Sequence, residues 1–295
     1  MYIFRRSGTA LLSILGLVFM LAGSAQAQDN YRTSFFNQKW LDTVVSIELD
    51  KPDKDPMAAG TGFLVITENK HILLITAKHV VLNEEREIRS HMAYRFNIQG
   101  GDSTLISDAV MEERGLGKWF VSGPDDLACR FVVVKDTFEA TAIPQSLFLN
   151  QEDVQAGASI MILGYPLGLR SFGNSKAIAR SGIVARSDET GIIADAFVFP
   201  GNSGGPVLYT PPIKVGGPLT TPLLNEERLV GLVYGLIPYL EPAISEMTKR
   251  RRVIFEENSG LARVASADAI LKLITREDVT QFEETIPDNL TLEGL

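Results

Sequence analysis

Residues 200–207 are Pro200-Gly201-Asn202-Ser203-Gly204-Gly205-Pro206-Val207. One serine stands among glycines, at the head of an apolar run. Acyl transfer needs an exposed hydroxyl beside backbone N–H groups that receive a developing oxyanion. Glycines on both sides of a serine free the backbone to present those N–H groups and leave space for a substrate. Ser203 is the expected nucleophile, and the N–H groups of Gly201 and Ser203 are the expected oxyanion donors. A glycine-rich turn with a serine is by itself most often only a turn. The partners of Ser203 have to come from elsewhere in the chain.

The chain holds only three histidines, so the search for a base is short. His71 opens the apolar run Ile72 to Ile75 and reads as a strand-edge residue. His91 sits in a polar stretch and reads as exposed. His79 lies in Ile75-Thr76-Ala77-Lys78-His79-Val80-Val81, just where a strand ends and hands a side chain to a cleft. It is the preferred base. The orienting carboxylate is Asp126, which leads Leu127-Ala128 and the apolar run Phe131 to Val134. An acid at the head of a buried strand is costly without a partner, and a histidine N–H is such a partner. Asp125 competes; Asp126 is preferred because Leu127 and Ala128 follow it directly. The order His79, Asp126, Ser203, with separations of 47 and 77 residues, is the chymotrypsin order rather than that of subtilisin or the α/β-hydrolases.

Composition is that of an ordinary globular protein: of 295 residues, 45% are hydrophobic and 22% charged, which excludes disordered, collagen-like and disulfide-scaffold proteins. Arg5-Arg6, the apolar stretch Ala10 to Ala22 and Ala25-Gln26-Ala27 form a secretory leader with a cut expected after Ala27. The apolar stretch is short for a membrane span, and none is expected after cleavage. Cleavage leaves 268 residues, with 26 bases against 36 acids and a net charge of −10. So acidic a chain is a poor partner for nucleic acid. The expected location is periplasmic or secreted. Cys129 is the single cysteine, so no intrachain disulfide forms and stability rests on packing. It falls in an expected strand and should be buried. No ligand spacing for a metal is present, and no metal or organic cofactor is implied.

Short β-branched runs separated by Gly, Pro, Asn and Asp predict strands at about 43–49, 62–67, 71–76, 93–98, 127–134, 159–163, 177–185, 192–198, 206–209 and 229–236. Many short strands joined by turns predict an all-β sandwich or barrel fold. Residues 31–41 form a short helix or arm. Ser266 is the expected N-cap of a short helix over Ala267 to Ile274. From Arg276 onward the tail carries six acids and one base and reads as a solvated or frayed end. The bases Lys249 to Arg252 read as a solvated loop.

Taken together, Gly60-Thr61-Gly62-Phe63-Leu64, Thr76-Ala77-Lys78-His79-Val80, Asp126-Leu127-Ala128, Gly164-Tyr165-Pro166-Leu167-Gly168, Ser181-Gly182-Ile183-Val184, Gly201 to Val207 and Leu229-Val230-Gly231-Leu232 run in one order over residues 43–275. In this the chain resembles trypsin-like serine proteases of the chymotrypsin fold, and most of all the disulfide-free protease domain of bacterial high-temperature-requirement proteases. The resemblance implies two six-stranded antiparallel β-barrels, with a short C-terminal helix and the triad between them. It divides the chain into a leader (1–27), an arm (28–42), a peptidase domain (43–275, the barrels meeting near 140–155) and an acidic tail (276–295). It implies a serine endopeptidase acting on polypeptides through an acyl-enzyme.

Three departures stand out. Asn202 precedes the serine where trypsin carries an aspartate, so activation by a new N-terminal amine is not expected. The high-temperature-requirement group shares this asparagine. No peptide-binding PDZ domain is expected after the Ser266 helix. An insertion around 240–258 precedes the segment expected to line the acyl-side pocket, and it could cover the cleft. That pocket is expected from Phe197, Phe199 and the segment Gly260, Leu261, Ala262, Arg263 and Val264, whose backbone the resemblance offers to substrate as an added strand. Alternation is expected to send Phe197 and Phe199 to opposite faces and Arg263 to solvent, leaving a pocket for Ala or Val. An Arg263 that entered the pocket would select Glu or Asp instead. Rival readings are a silent protease-fold binding module and an esterase. Nothing in the sequence sets an oligomeric state.

Overall fold

Alternating apolar residues close two separate cores, one for each half of the chain. In this computed structural model the described residues are 36–170, 175–211 and 226–287. The leader of residues 1–27 lies outside them, as do the arm up to residue 35, most of the loop 211–227 and the tail from residue 288.

The first sheet uses β1 (Val44–Leu49), β2 (Met57–Ile66), β3 (Ile72–Thr76), β4 (Met92–Ile98), β5 (Asp102–Ser107), β6 (Phe120–Val121), β7 (Ala128–Val132) and β8 (Ile143–Pro144). Pairing runs β5-β4-β1-β2-β3-β7-β6, with β8 beside β2. Two single-turn or near single-turn helices interrupt it, α1 (Lys78–Val81) and α2 (Asp108–Glu113). The second half uses β9 (Ser159–Gly164), β10 (Ile178–Asp188), β11 (Gly191–Asp195), β12 (Pro206–Tyr209), β13 (Arg228–Ile244) and β14 (Arg251–Ser266). It closes as a barrel in the order β10-β11-β14-β13-β12-β9. Ile160 and Ile162, Val184, Ala194, Val207, Val233, Ala262 and Val264 fill it from every strand.

The all-β class holds, with antiparallel sheets and short C-terminal helices. The six-stranded count holds for the barrel only. The first sheet has eight strands, because the two-residue strands β6, at one edge, and β8, beside β2, add to it, and its pairing path stays open between β5 and β6. A side chain spans that opening. Arg130 on β7 is fully buried. Its Nη1 donates to the Tyr94 hydroxyl at 2.7 Å and to the Asp108 carboxylate, and its Nη2 donates to the Leu116 carbonyl at 2.7 Å. The guanidinium also lies over the Tyr94 and Trp119 rings, 5.4 and 5.2 Å from their centroids. β7 is thereby tied to β4 and α2 without a backbone ladder.

β13 and β14 are 17 and 16 residues long and outrun the barrel. Residues 238–258, which take in the expected insertion of 240–258, form a two-stranded ribbon. Ser266 caps α3 (Ala267–Ile274) by accepting the Ala269 N–H at 3.3 Å, and Ile270, Leu273 and Ile274 turn inward. The tail is not a frayed end over its described part. α4 (Glu277–Glu283) packs on the first sheet, with Val279 fully buried. Phe282 lies 5.4 Å from Phe120 and 5.9 Å from Phe131 between ring centroids, and the Glu283 carboxylate meets His71 Nδ1 at 3.1 Å. Six acids hid a stripe of Val279, Phe282 and Ile286 at helical spacing. Cys129 on β7 is fully buried, and burial pushes its thiol up to about 12.

Removing one partner of a buried ion pair leaves an uncompensated charge and costs about 3–5 kcal/mol. Arg130→Ala should therefore lower the stability measured by urea unfolding by about that much, and Arg130→Met, which keeps the bulk, by less. Equal unfolding midpoints for Arg130→Ala and the parent protein would show that the opening closes without this side chain.

Candidate active site

Each residue of the site is held by a short, local arrangement. β3 ends at Thr76, and Ala77 in extended conformation leads into the single turn α1. A helix start leaves backbone N–H groups without partners. Here Asp126 supplies them: its carbonyl accepts the Lys78 N–H at 3.2 Å, and its Oδ1 accepts the His79 N–H at 3.0 Å. The other carboxylate oxygen, Oδ2, meets His79 Nδ1 at 2.7 Å. An ionised carboxylate only accepts, so Nδ1 carries the proton and the neutral ring keeps Nε2 as an acceptor. Burial alone would raise the Asp126 carboxyl. The hydrogen bond and charge of His79, its backbone N–H and the nearby Lys78 outweigh that and hold it below the usual carboxylate range. Asp125 is engaged elsewhere, with the Ser122 hydroxyl at 3.2 Å. Of the other histidines, His71 is buried against Glu283 and His91 is exposed.

The serine turn belongs to the barrel, yet it is stitched to β2 of the first sheet. Thr61 is fully buried. Its N–H donates to the Ser203 carbonyl at 2.9 Å and its hydroxyl to the Gly201 carbonyl at 2.6 Å. The same hydroxyl oxygen accepts the Tyr165 N–H at 3.1 Å, and the Thr61 carbonyl accepts the Thr76 hydroxyl at 2.6 Å. Gly204 sits at φ +87°, and a β-carbon there would fall 2.0 Å from the Thr61 carbonyl oxygen. Only glycine allows the turn to approach β2 so closely. Ser203 is thereby brought beside the strand-to-helix corner that carries His79.

The two expected oxyanion N–H groups share one feature. The C=O and N–H of a trans peptide point in opposite directions. The Pro200 carbonyl is anchored by the Leu167 N–H at 2.7 Å, and the Asn202 carbonyl by the Gly205 N–H at 2.8 Å. The N–H groups of Gly201 and Ser203 therefore face away from those anchors. Neither donates to an acceptor among the described residues. Tyr165 and Leu167 belong to the stretch Gly164 to Gly168, and nothing in its sequence marks these bonds. Asn202 is buried, and its Oδ1 accepts the Phe199 N–H at 3.0 Å. An aspartate there would bury a charge.

Leu167 is itself anchored through Arg170, three residues on. Arg170 and Arg95 both clasp the buried Glu48 carboxylate, at 2.6 and 2.8 Å. Burial by itself would raise Glu48. The Arg95 hydrogen bond and charge, then those of Arg170, reverse this and hold it below the usual range.

The expected acyl-side wall needs three corrections. The backbone of 261–264 cannot take a substrate strand, because β11 pairs with it on one side and β13 on the other. Ala262 faces the barrel core and is fully buried, since it alternates with the outward Leu261 and Arg263. Phe197 and Phe199 do not go to opposite faces. Residues two apart share a face, and it is Val198 between them that enters the core. The Phe197 ring lies over Gly260, within 3.5 Å of where a β-carbon would stand. The Phe199 ring is covered by the Arg180 guanidinium at 5.3 Å. Arg263 is exposed on the outer surface.

Thr61→Val keeps shape and removes the hydroxyl, leaving the Gly201 carbonyl and the Tyr165 N–H unpartnered. A buried polar group so stranded costs about 1–3 kcal/mol. Thermal unfolding should show the loss as a drop of several degrees, and Thr61→Ser should recover most of it. A Thr61→Val protein as stable as its parent would show that the stitch carries no energy.

The profile of the trypsin-like peptidase domain family matches residues 60–210, just over half of the chain. No curated protein sequence matches. Among solved structures, human heparin binding protein is similar at a TM-score of 0.49 and 11% identity, over 81% of this chain and 92% of its own. A likeness that distant carries no argument. The family match spans β2 to β12 and includes Thr61, His79, Asp126 and Ser203. The chain belongs to the trypsin-like peptidase family.

Proposed function

We propose that the protein is an exported serine endopeptidase. Ser203 Oγ attacks the scissile carbonyl while His79 Nε2 takes its proton. Asp126 keeps the imidazole in the reactive tautomer and stabilises the imidazolium. The N–H groups of Gly201 and Ser203 receive the oxyanion. The imidazolium returns the proton to the leaving amine, and a water activated by the same His79 then hydrolyses the acyl-enzyme. One observation supports this most: a single carboxylate, Asp126, binds both the backbone N–H and the ring of His79, at 3.0 and 2.7 Å. A structural histidine does not need that second bond. Export rests on the leader residues Arg5-Arg6, Ala10 to Ala22 and Ala25-Gln26-Ala27, and N-terminal sequencing of exported protein should read from Gln28.

The test is turnover of an unfolded, casein-like substrate, with labelling of Ser203 by a fluorophosphonate. Ser203→Ala and His79→Ala should each cut kcat/KM by about 10⁴-fold or more, and the double variant little further, because the groups act as one unit. The bonds from His79 hold the Asp126 carboxyl below the usual carboxylate range, so it stays ionised through weak acid and the rate should not fall through loss of that charge until the pH drops below that range. Equal turnover by Ser203→Ala and the parent would sink the assignment.

A further inference from the structure

Beyond the barrel, β13 and β14 pair only with each other, from Pro238 opposite Asn258 to Ile244 opposite Arg251. A lone two-stranded ribbon is at best marginally stable in water. This one also exposes apolar side chains: Val253, Ile254 and Phe255 are 52%, 55% and 55% accessible. Among the described residues no strand covers the outer edge of β14 over residues 251–259.

The two edges of the ribbon differ. Pro242 stands opposite Ile254, and Pro238 opposite Asn258. Proline has no N–H, so neither pair can be a hydrogen-bonded one. The residues of a non-hydrogen-bonded pair turn their backbone groups outward, away from each other. On β13 the outward positions therefore include Pro238 and Pro242, which blunt that edge. On β14 they are Ile254 and Glu256, with N–H and C=O intact. The β14 edge is open to another strand.

Its sequence says which strand. Arg251-Arg252-Val253-Ile254-Phe255-Glu256-Glu257 runs base, base, three apolar residues, acid, acid. Turned end for end, it is its own electrostatic complement. We propose that the β14 edge pairs antiparallel with the same edge of a second copy of this chain, about a two-fold axis at Ile254. In that register Ile254 faces the partner's Ile254 and Val253 faces the partner's Phe255. Arg252 faces the partner's Glu256, and Arg251 the partner's Glu257. Ile254 and Glu256 already point their backbone groups outward, as the pairing needs. Such a contact is isologous, so it closes as a dimer and does not propagate. The four bases Lys249 to Arg252 alone would suit an anionic lipid surface. Glu241, Glu246, Glu256 and Glu257 on the same ribbon oppose that, and favour a partner carrying both signs in mirrored order.

Sedimentation equilibrium of the mature protein over a range of concentrations tests it. The parent should be a dimer whose association weakens with salt. Arg251→Glu with Arg252→Glu places acids opposite acids and should weaken association about tenfold or more. Glu256→Arg with Glu257→Arg should do the same with bases. Joining all four substitutions restores a complementary strand and should restore the dimer, and the two doubly reversed proteins should pair with each other. Ile254→Pro removes an outward N–H while sparing the β13 pairing, and should give a folded monomer with an unchanged unfolding midpoint. A parent protein that is monomeric throughout would overturn the proposal, as would a dimer indifferent to charge reversal. So would a monomer that instead binds vesicles of mixed zwitterionic and anionic lipid.

Discussion

Thr61 is the point on which the site depends. It reaches from the first sheet to a loop 140 residues further along the chain. Its N–H, hydroxyl and carbonyl are all spent on the Ser203 turn or its supports. A hydroxyl both donates and accepts, so one atom can hold the Gly201 carbonyl and the Tyr165 N–H together. A β-branched side chain also suits the strand that carries it. The site is assembled by a few buried hydrogen bonds between two independently packed cores, and not by a shared core.

Much of the fold was legible because its strands alternate cleanly. Nine of the expected runs coincide with β1, β2, β3, β4, β7, β9, β10, β11 and β12, and the tenth with the barrel part of β13. The cap at Ser266 was legible for a local reason, a hydroxyl before an apolar helical stripe. What was missed has physical causes. β5 is only half-buried along its length and carries few apolar residues. β14 begins on a ribbon that touches no core, where Val253, Ile254 and Phe255 stand in a row between charged residues, so no alternation announces it. α4 was masked by its acids, although two of its buried residues lie at helical spacing.

The site was legible to a different degree. His79, Asp126 and Ser203 are marked by neighbours: a strand end, the head of a buried strand, a cluster of glycines. The structure brings His79 and Asp126 into contact and carries Ser203 to the same corner. Thr61 sits between Gly60 and Gly62, a visible sign of close backbone approach, but nothing in the sequence says what approaches. The Glu48, Arg95 and Arg170 cluster was invisible, since its members lie far apart in the chain and meet only after both halves fold. The acyl-side wall was misread because strand partnership is a tertiary property. Only the barrel order shows that residues 261–264 are interior.

α4 carries residues 277–283 back to the first sheet. Phe282 completes an aromatic group with Phe120 and Phe131, and Glu283 holds His71 beside β3. During synthesis all eight strands of the first sheet emerge before α4 does, and their surface against α4 stays uncovered until it follows. β3 leads directly to His79, and β7 follows directly on Asp126. The strand that leads to His79 and the strand that follows Asp126 are therefore covered only when α4 arrives. A chain not yet extended through α4 leaves these strands uncovered on that side, so the order of synthesis sets the order in which the two halves are closed.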